Sequence, residues 1–451
     1  MSDRLFDLVE KEVSRNGKSE AELWVRRARV RRYEARDGGI DAISLSDSLS
    51  FGIRVFREGR MGFSYGFGEG EEDVRRAVKS ALFSADGSDR DEDYGLPEGG
   101  GEATARPGEP GAPTLFDPSC ERVKERERTD FARELEARAL AFDSRMKRVR
   151  SAALTETVAE VRVCNSRGRE GVQRESSYFA SVDSVAEEGT EGQTGYGFGF
   201  ARRFSDLRPG GIAEESARRA LRMLGGRSLQ TGRVPAILEN EAAADLLDVL
   251  SPSFLAPQVV KGKSMLAGKI GHQVASPYVQ VVDDPLDPEG AGATGFDGEG
   301  IPTRRTVLIG QGTLSSFLSD TFWGRKIGTG TTANLTRPVP KLPPTVGTAG
   351  LRVTAGSRSV EQMMGDLGGG ILLTEFLGIH TADPVSGNFS VGASGIRFEG
   401  GERKEPVRGF AVSGNVLSLL RDVVAVGDDF RWFGKTGCPS LAVSGIEIGG
   451  M

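Results

Sequence analysis

Residues 36–66 read RDGGIDAISLSDSLSFGIRVFREGRMGFSYG. Two turn signals, Asp37-Gly38-Gly39 and Glu58-Gly59, interrupt extended pieces rich in Ile, Leu, Val and Phe. Residues that tolerate positive φ between such pieces are the mark of tight hairpins. From Ala21 to Tyr65 the pattern therefore predicts a meander of antiparallel strands. Upstream, Leu5, Leu8, Val9 and Val13 recur at helical spacing and stop at Gly17. Downstream, Val74, Ala77, Val78, Ala81 and Leu82 form the apolar stripe of a helix packed on that sheet.

Residues 86–113, DGSDRDEDYGLPEGGGEATARPGEPGAP, offer little to bury against the entropy of ordering. They are expected to be a flexible surface insertion. A second helix carries Phe131, Leu135, Ala139 and Phe142 on one face, and strand-like stretches follow over 154–164 and 175–204. A third helix with Ala217, Ala220, Leu221 and Leu224 ends at Gly225-Gly226. The expected fold is α+β in two domains: residues 1–230 with an antiparallel sheet, and residues 231–451, mainly antiparallel β. After one helical stretch over 241–250 the second part is short strands and glycine turns, which suggests a closed or strongly curved sheet that hides its edges.

The chain has 451 residues, 38% apolar and 27% charged, as expected of a globular protein of more than one domain. Its 62 glycines show no collagen period and point to many tight turns. A net charge of −6, with no aromatic-studded basic stripe, argues against nucleic-acid binding. The acidic start MSDRLFDLVEKEV is unlike a secretory leader and no apolar run is long enough to span a bilayer, so a cytoplasmic protein without a membrane partner is expected. Cys120, Cys164 and Cys438 are too scattered for a disulfide framework or a Cys-x-x-Cys site.

His272 and His380 are the only histidines, which leaves little material for a zincin site or a serine triad. Neither has a ligand-spaced partner, and Cys438, between Gly437 and Pro439, has no histidine nearby. Asp283, Asp284, Asp287, Asp297 and Glu299 form the densest carboxylate group, of the oxygen chemistry calcium prefers. They lack the EF-hand spacing and read as turn formers. Gly365–Gly370 and Gly387–Gly401 do not match a phosphate-binding loop and read as tight turns and close backbone approaches. No catalytic, cofactor-binding or metal-binding residue is assigned.

The order of several segments carries a resemblance. VVDDP (281–285), FDGEGIPTRR (296–305), GTLSSFLSD (312–320), LTEFLGIHTADPVSGNFSVGASG (373–395) and PSLAVSGIEIGG (439–450) resemble the C-terminal half of TldE/PmbA proteins, of the TldD/TldE (modulator of DNA gyrase, peptidase U62) family. Residues 36–66, NSRG (165–168) and LQTGRVPAILE (229–239) resemble its N-terminal part, while residues 86–113 match nothing. The TldD branch carries His-Glu-x-x-x-His on a helix and a later cysteine in a Cys-Gly-Lys context, which together would hold zinc. Here the corresponding helix reads EAAADLLDVLSPSF, without histidine; its Asp245 and Asp248 alone do not make a zinc site.

The resemblance implies a non-catalytic subunit of a metallopeptidase that degrades or processes unfolded peptides, with zinc supplied by a TldD-like partner. It implies a homodimer when the chain is alone, formed through the glycine-rich β part. Asn388, Phe389, Ser390, Gly392 and Ser394 are the candidate peptide-binding or interface residues, because an extended segment can pair with a peptide through its backbone. Two other classes stay open: a self-contained hydrolase using Cys438 or His380, and a homodimeric peptide-binding scaffold.

Overall fold

The structure is a computed structural model and describes residues 2–99, 101–103 and 113–450. In the N-terminal half, α1 (Ser2–Ser14) precedes three strands, β1 (Glu20–Arg36), β2 (Gly39–Arg57) and β3 (Arg60–Phe67). Then come α2 (Glu71–Asp86), β4 (Gly101–Ala103), α3 (Glu125–Ala141), β5 (Met146–Asn165), β6 (Arg169–Glu188), β7 (Glu191–Ala201) and α4 (Pro209–Leu221). All seven strands join one sheet in the order β3-β2-β1-β5-β6, with β4 and β7 both on β6. Its pairs are antiparallel except β4 with β6.

The predicted meander is present, and both turns have the expected geometry. Asp37 and Gly38 adopt φ of 53° and 75°, and Glu58 and Gly59 adopt 52° and 72°, as two-residue hairpins of type I′ require. Glu136 of α3 fixes the first turn by accepting the N–H groups of Asp37 and Gly38 at 2.7 and 3.0 Å. Helices α1 and α2 bury Leu23, Val25, Phe51 and Ile53 at one end of the sheet. Helices α3 and α4 cover Tyr33, Leu154, Tyr178 and Ala180 at the other end. Phe131, Leu135 and Ala139 are buried as expected, whereas Phe142 caps the C-terminus of α3 and is exposed.

Part of the expected flexible insertion is packed. Leu96 is fully buried, and the ring of Tyr94 stacks on Phe322 with centroids 4.3 Å apart. Asp91 and Asp93 pair with Lys326 at 2.8 and 2.9 Å, while Arg325 donates to the carbonyls of Asp93 and Leu96. Two apolar side chains and a few well-placed carbonyls thus order a stretch whose average composition is polar. Residues 104–112 lie outside the described residues.

The C-terminal half starts with β8 (Gly232–Leu238), α5 (Asn240–Leu250), α6 (Ala256–Val260), β9 (Val281–Asp283), β10 (Thr306–Gly310), β11 (Thr313–Leu314) and α7 (Thr321–Lys326). It continues through β12 (Leu335–Thr336), β13 (Thr345–Val346), β14 (Leu351–Val353), α8 (Val360–Leu367), β15 (Gly369–Leu377), β16 (Asn388–Glu399) and β17 (Glu402–Asn415). The last elements are α9 (Val416–Arg421), β18 (Val423–Val426), β19 (Arg431–Phe433), β20 (Thr436–Cys438) and β21 (Leu441–Gly449). One sheet runs β17-β16-β15-β8-β21-β18, and an added pairing of β17 with β21 closes five of its strands into a ring. The closed sheet expected of these strands is therefore present, but it is mixed, because β8 and β15 are parallel. Gly370 makes that pairing possible: a Cβ there would lie 2.3 Å from the Pro235 carbonyl oxygen. A second sheet runs β11-β10-β9-β14-β20-β19, with β14 and β20 parallel.

The hydrophobic clusters follow the same division. The largest draws its buried residues from position 236 onward, and those under the first sheet lie before position 225. Trp24, Val163 and Phe296 bridge the two halves.

Candidate functional site

Helix α5 leaves the end of β8 with Ala242, Ala243, Leu246, Leu247 and Leu250 buried against the C-terminal core. Its remaining face carries Asn240, Glu241, Asp245 and Asp248, and it packs against β15, β19 and β20. A cleft of about 520 Å³ opens at its N-terminus, lined by residues that include Glu215, Arg219, Arg222, Glu239, Asn240, Asp429 and Arg431. Arg219 binds both Glu241 and Glu215. Arg222 makes a two-pronged contact with Glu239 at 3.0 and 2.9 Å, and Arg431 pairs with Glu215 at 2.9 Å. The Asn240 side-chain amide donates to the Asp429 carbonyl at 3.1 Å.

Asp245 is different. Burial, and then the like charges of Glu241, Asp248 and Glu375, push its carboxyl up to about 7. Among the described residues no arginine or lysine pairs with it.

Next to this cleft lies a second, of about 530 Å³, with Arg431 in the wall of both. The sequence TGYGFGFA of residues 194–201 builds it. Strand alternation puts Gly195, Gly197 and Gly199 under α4, where a Cβ on Gly195 would lie 2.1 Å from the Ser216 carbonyl oxygen. Tyr196, Phe198 and Phe200 necessarily point to the opposite face. Phe198 and Phe200 meet Phe430 and Trp432 in the cleft, and Arg431 lies over the Phe198 ring at 4.4 Å. A larger cleft of about 720 Å³ lies on the helix-bearing face of the sheet between α1 and α3. Its arginines are engaged with neighbouring acids, Arg31 and Arg128 with Glu156 among them, as are those of the cleft at the N-terminus of α5, so the less saturated chemistry lies in the aromatic cleft.

The residues singled out from sequence are dispersed. Asp283 accepts from Asn334, Ala349 and Gly350; Asp284 and Asp287 share Arg352 at 2.8 Å each. Asp297 accepts the N–H groups of Glu299, Ile301 and Leu335, and Glu299 accepts from Thr321 and Arg54. The five carboxylates are turn and interface fasteners. Cys438 is fully buried and burial raises its thiol, which disfavours the reactive thiolate. His272 and His380 are exposed on separate turns.

In β16, Phe389 is buried in the core, and Gly392 and Ser394 are paired on both sides, to β15 and to β17. Peptide addition at Gly392 and Ser394 is therefore blocked by strands already present. Asn388 and Ser390 are exposed, and their stretch pairs with β17 alone.

Three family models match the chain: PmbA/TldA metallopeptidase domain 1 over residues 21–85, the central domain over 118–224 and the C-terminal domain over 231–450. The chain belongs to the PmbA/TldD metallopeptidase family. Metalloprotease PmbA of Escherichia coli O157:H7 is 26% identical over 437 residues, covering 96% of this chain and 93% of that protein. Among solved structures, a putative modulator of a DNA gyrase from Thermotoga maritima superposes with a TM-score of 0.90 at 26% identity, covering 99% of this chain and 100% of that one. TldE from Thermococcus kodakarensis gives 0.88 at 25% identity, with both chains fully covered.

The zinc chemistry of the TldD branch can be tested against α5. Asn240, Glu241 and Asp245 stand at positions i, i+1 and i+5, the spacing of His-Glu-x-x-x-His. On the turn between β19 and β20, also packed on α5, Gly434-Lys435 follows Phe433 rather than a cysteine. An amide, an arginine-bound carboxylate, a carboxyl and a phenyl ring do not fit a catalytic zinc, which takes imidazole, thiolate or carboxylate donors that converge. Among the described residues no group of three or more His, Cys, Asp or Glu side chains is arranged to hold a metal ion. Sequence reading had noted Asp245 and Asp248; it missed Asn240, Glu241 and Phe433, which the motif spacing could have revealed.

Proposed function

We propose that this chain is the non-catalytic, TldE-type subunit of a two-chain metallopeptidase that acts on unfolded peptides. One observation carries the reading. The helix and turn that would hold zinc are both in place and both against each other, yet the ligand positions bear an amide (Asn240), a phenyl ring (Phe433) and one lone carboxyl (Asp245), which together do not make a catalytic zinc site. Glu241, where a general base would stand, is neutralised by Arg219. A retained frame with replaced ligands suits a protein kept for its shape and its partner. On this reading zinc and bond cleavage belong to a TldD-like chain, the chain alone forms a homodimer, and the complex works in the cytoplasm. No helix among the described residues is long and apolar enough to cross a membrane. The exposed Asn388 and Ser390, on the singly paired start of β16, remain the proposed peptide or partner contact.

The experiment is co-expression with a TldD-like chain. The expected result is a stable complex that cleaves unstructured peptides, with about one zinc per pair and none retained by this chain alone. Tight zinc in the isolated chain, lost together with a peptidase activity on chelation, would overturn the reading. Separate elution of the two chains at micromolar concentration would favour the homodimeric scaffold instead.

A further inference from the structure

The aromatic recess beside α5 contains two groups that the fold leaves unsatisfied. Arg202, at the end of β7, donates from Nε to the Pro288 carbonyl at 3.2 Å and from Nη2 to the Gly290 carbonyl at 3.1 Å. Its Nη1 has no partner, and no carboxylate lies within ion-pairing distance of it among the described residues. This contrasts with Arg431 across the recess, which Glu215 neutralises. The second group is the indole of Trp432, 9% exposed, whose Nε1–H is buried and has no acceptor. Leaving a buried donor unsatisfied costs about 1–3 kcal/mol. Glu175 acts on Arg202 from beyond ion-pairing distance, so the free Nη1 in this partly closed cleft can seat an anion.

Between these polar groups the walls are aromatic. Phe200 lies under the Arg202 guanidinium at 5.0 Å, Phe430 meets Trp432 edge-on at 5.3 Å, and Phe198 faces them from β7. The volume of about 530 Å³ falls in the ~300–1,000 Å³ range of small-ligand clefts. Asp206 and Glu289 sit on its exposed rim. The partly exposed rings of Phe179 and Tyr196 continue on the same face of the sheet, stacked against Phe198. The alternation of residues 194–201 forces this arrangement: the glycines that admit α4 on one face leave an unbroken aromatic row on the other.

We propose that the recess binds the C-terminal residue of a peptide, with its α-carboxylate on the unpaired Nη1 of Arg202 and an aromatic or large apolar last side chain between Phe198, Phe200 and Phe430. The unpaired Nη1 of Arg202 matches a carboxylate, and the aromatic walls match the side chain. The row through Phe198, Tyr196 and Phe179 then gives the preceding residues an apolar path. The inference deepens the peptide-handling reading above, but its readout needs only the isolated chain.

The test is fluorescence anisotropy with an N-terminally labelled Gly-Gly-Ser-Gly-Phe peptide as free acid, as C-terminal amide, and as a free acid ending in Gly instead of Phe. The free-acid Phe peptide is expected to bind at least about tenfold more tightly than either of the others, the size of one charge-assisted hydrogen bond or more. Arg202→Gln should erase the acid-over-amide preference while the unfolding midpoint stays near that of the wild type, and Arg202→Lys should keep part of it. Equal binding of acid and amide by the wild-type chain overturns the proposal without need of any variant. So does a preference that survives Arg202→Gln. If acid and amide bind alike while the co-expressed complex is an active peptidase, the recess proposal fails and the subunit reading stands.

Discussion

Arg54, on β2 of the N-terminal sheet, donates to Glu299 of the C-terminal half at 3.1 Å while its Nε and Nη2 hold Glu22 on the neighbouring β1 at 2.8 and 2.7 Å. All three side chains are buried, and Arg337 adds a further bond to Glu22. The nearby Asp297 and Asp320 are raised by burial and by the charge of Glu299. One planar guanidinium thus serves two carboxylates from different halves of the chain. Removing it leaves Glu22 to Arg337 alone and Glu299 without a cation among the described residues, and the expected cost of Arg54→Met is about 3–5 kcal/mol, measured by urea unfolding at pH 7.5. Arg54→Lys should recover little, because a lysine cannot reproduce the fork. A loss below about 1 kcal/mol, the size of a surface pair, would mean that the network does not join the halves.

The packed stretch before residue 100 should behave as structure. Leu96→Ala removes a fully buried side chain and is expected to cost about 2–5 kcal/mol. Tyr94→Ala removes the stack on Phe322 and should also lower the unfolding midpoint. Thermal scans that leave both variants at the wild-type midpoint would return the segment to the status of a surface loop.

Gly197 faces the backbone of α4, where a Cβ would lie 2.2 Å from the Ile212 carbonyl oxygen. Gly197→Ala should push the helix off β7 and destabilise the chain by about 1–3 kcal/mol. Phe198→Leu, one residue away on the opposite face, trims a half-buried ring without a backbone clash and should cost less than Gly197→Ala. Equal effects at the two positions would contradict the alternation.

The pH dependence of Asp245 follows from its carboxyl standing at about 7, above the ~3.9 of an unfolded chain. Between those values the native state holds a proton that the unfolded state has lost. Stability contributed by this group is therefore whole below about pH 4, falls as the pH rises to 7, and is level beyond. Asp245→Asn should be close to neutral at about pH 4.5 and more stable than the wild type by about 1–2 kcal/mol at pH 8, a figure discounted because the group is part-exposed. Urea midpoints at the two pH values decide it; the same difference at both would remove Asp245 as the titrating group.

What could be read in advance depended on how local the cause was. The hairpin turns at Asp37-Gly38 and Glu58-Gly59 and the stripe of α2 are local, and both stand as expected. The packing of Tyr94 and Leu96 depends on Phe322 and Arg325, more than two hundred positions away, so composition alone pointed to a loose insertion. The extended pattern of β16 was visible in the sequence, but not that β15 and β17 would fill both its edges at Gly392 and Ser394. The aromatic recess had a local signal in the Gly-aromatic alternation of residues 194–201, yet its far wall comes from Phe430 and Trp432.

The first sheet also sets a timetable. Glu22 pairs with Asn165 and Ala35 with Ala152, so the inner edge of β1 is completed by a strand made more than a hundred residues later. At about 5–20 residues per second, the nascent hairpin of β1 and β2 leaves the ribosome with that edge bare for on the order of ten seconds. During that interval β1 is an open template for other chains. Its arginines, Arg27, Arg29 and Arg31 on one face and Arg26 and Arg32 on the other, give the waiting strand a like-charge guard against pairing with its own copies on neighbouring ribosomes.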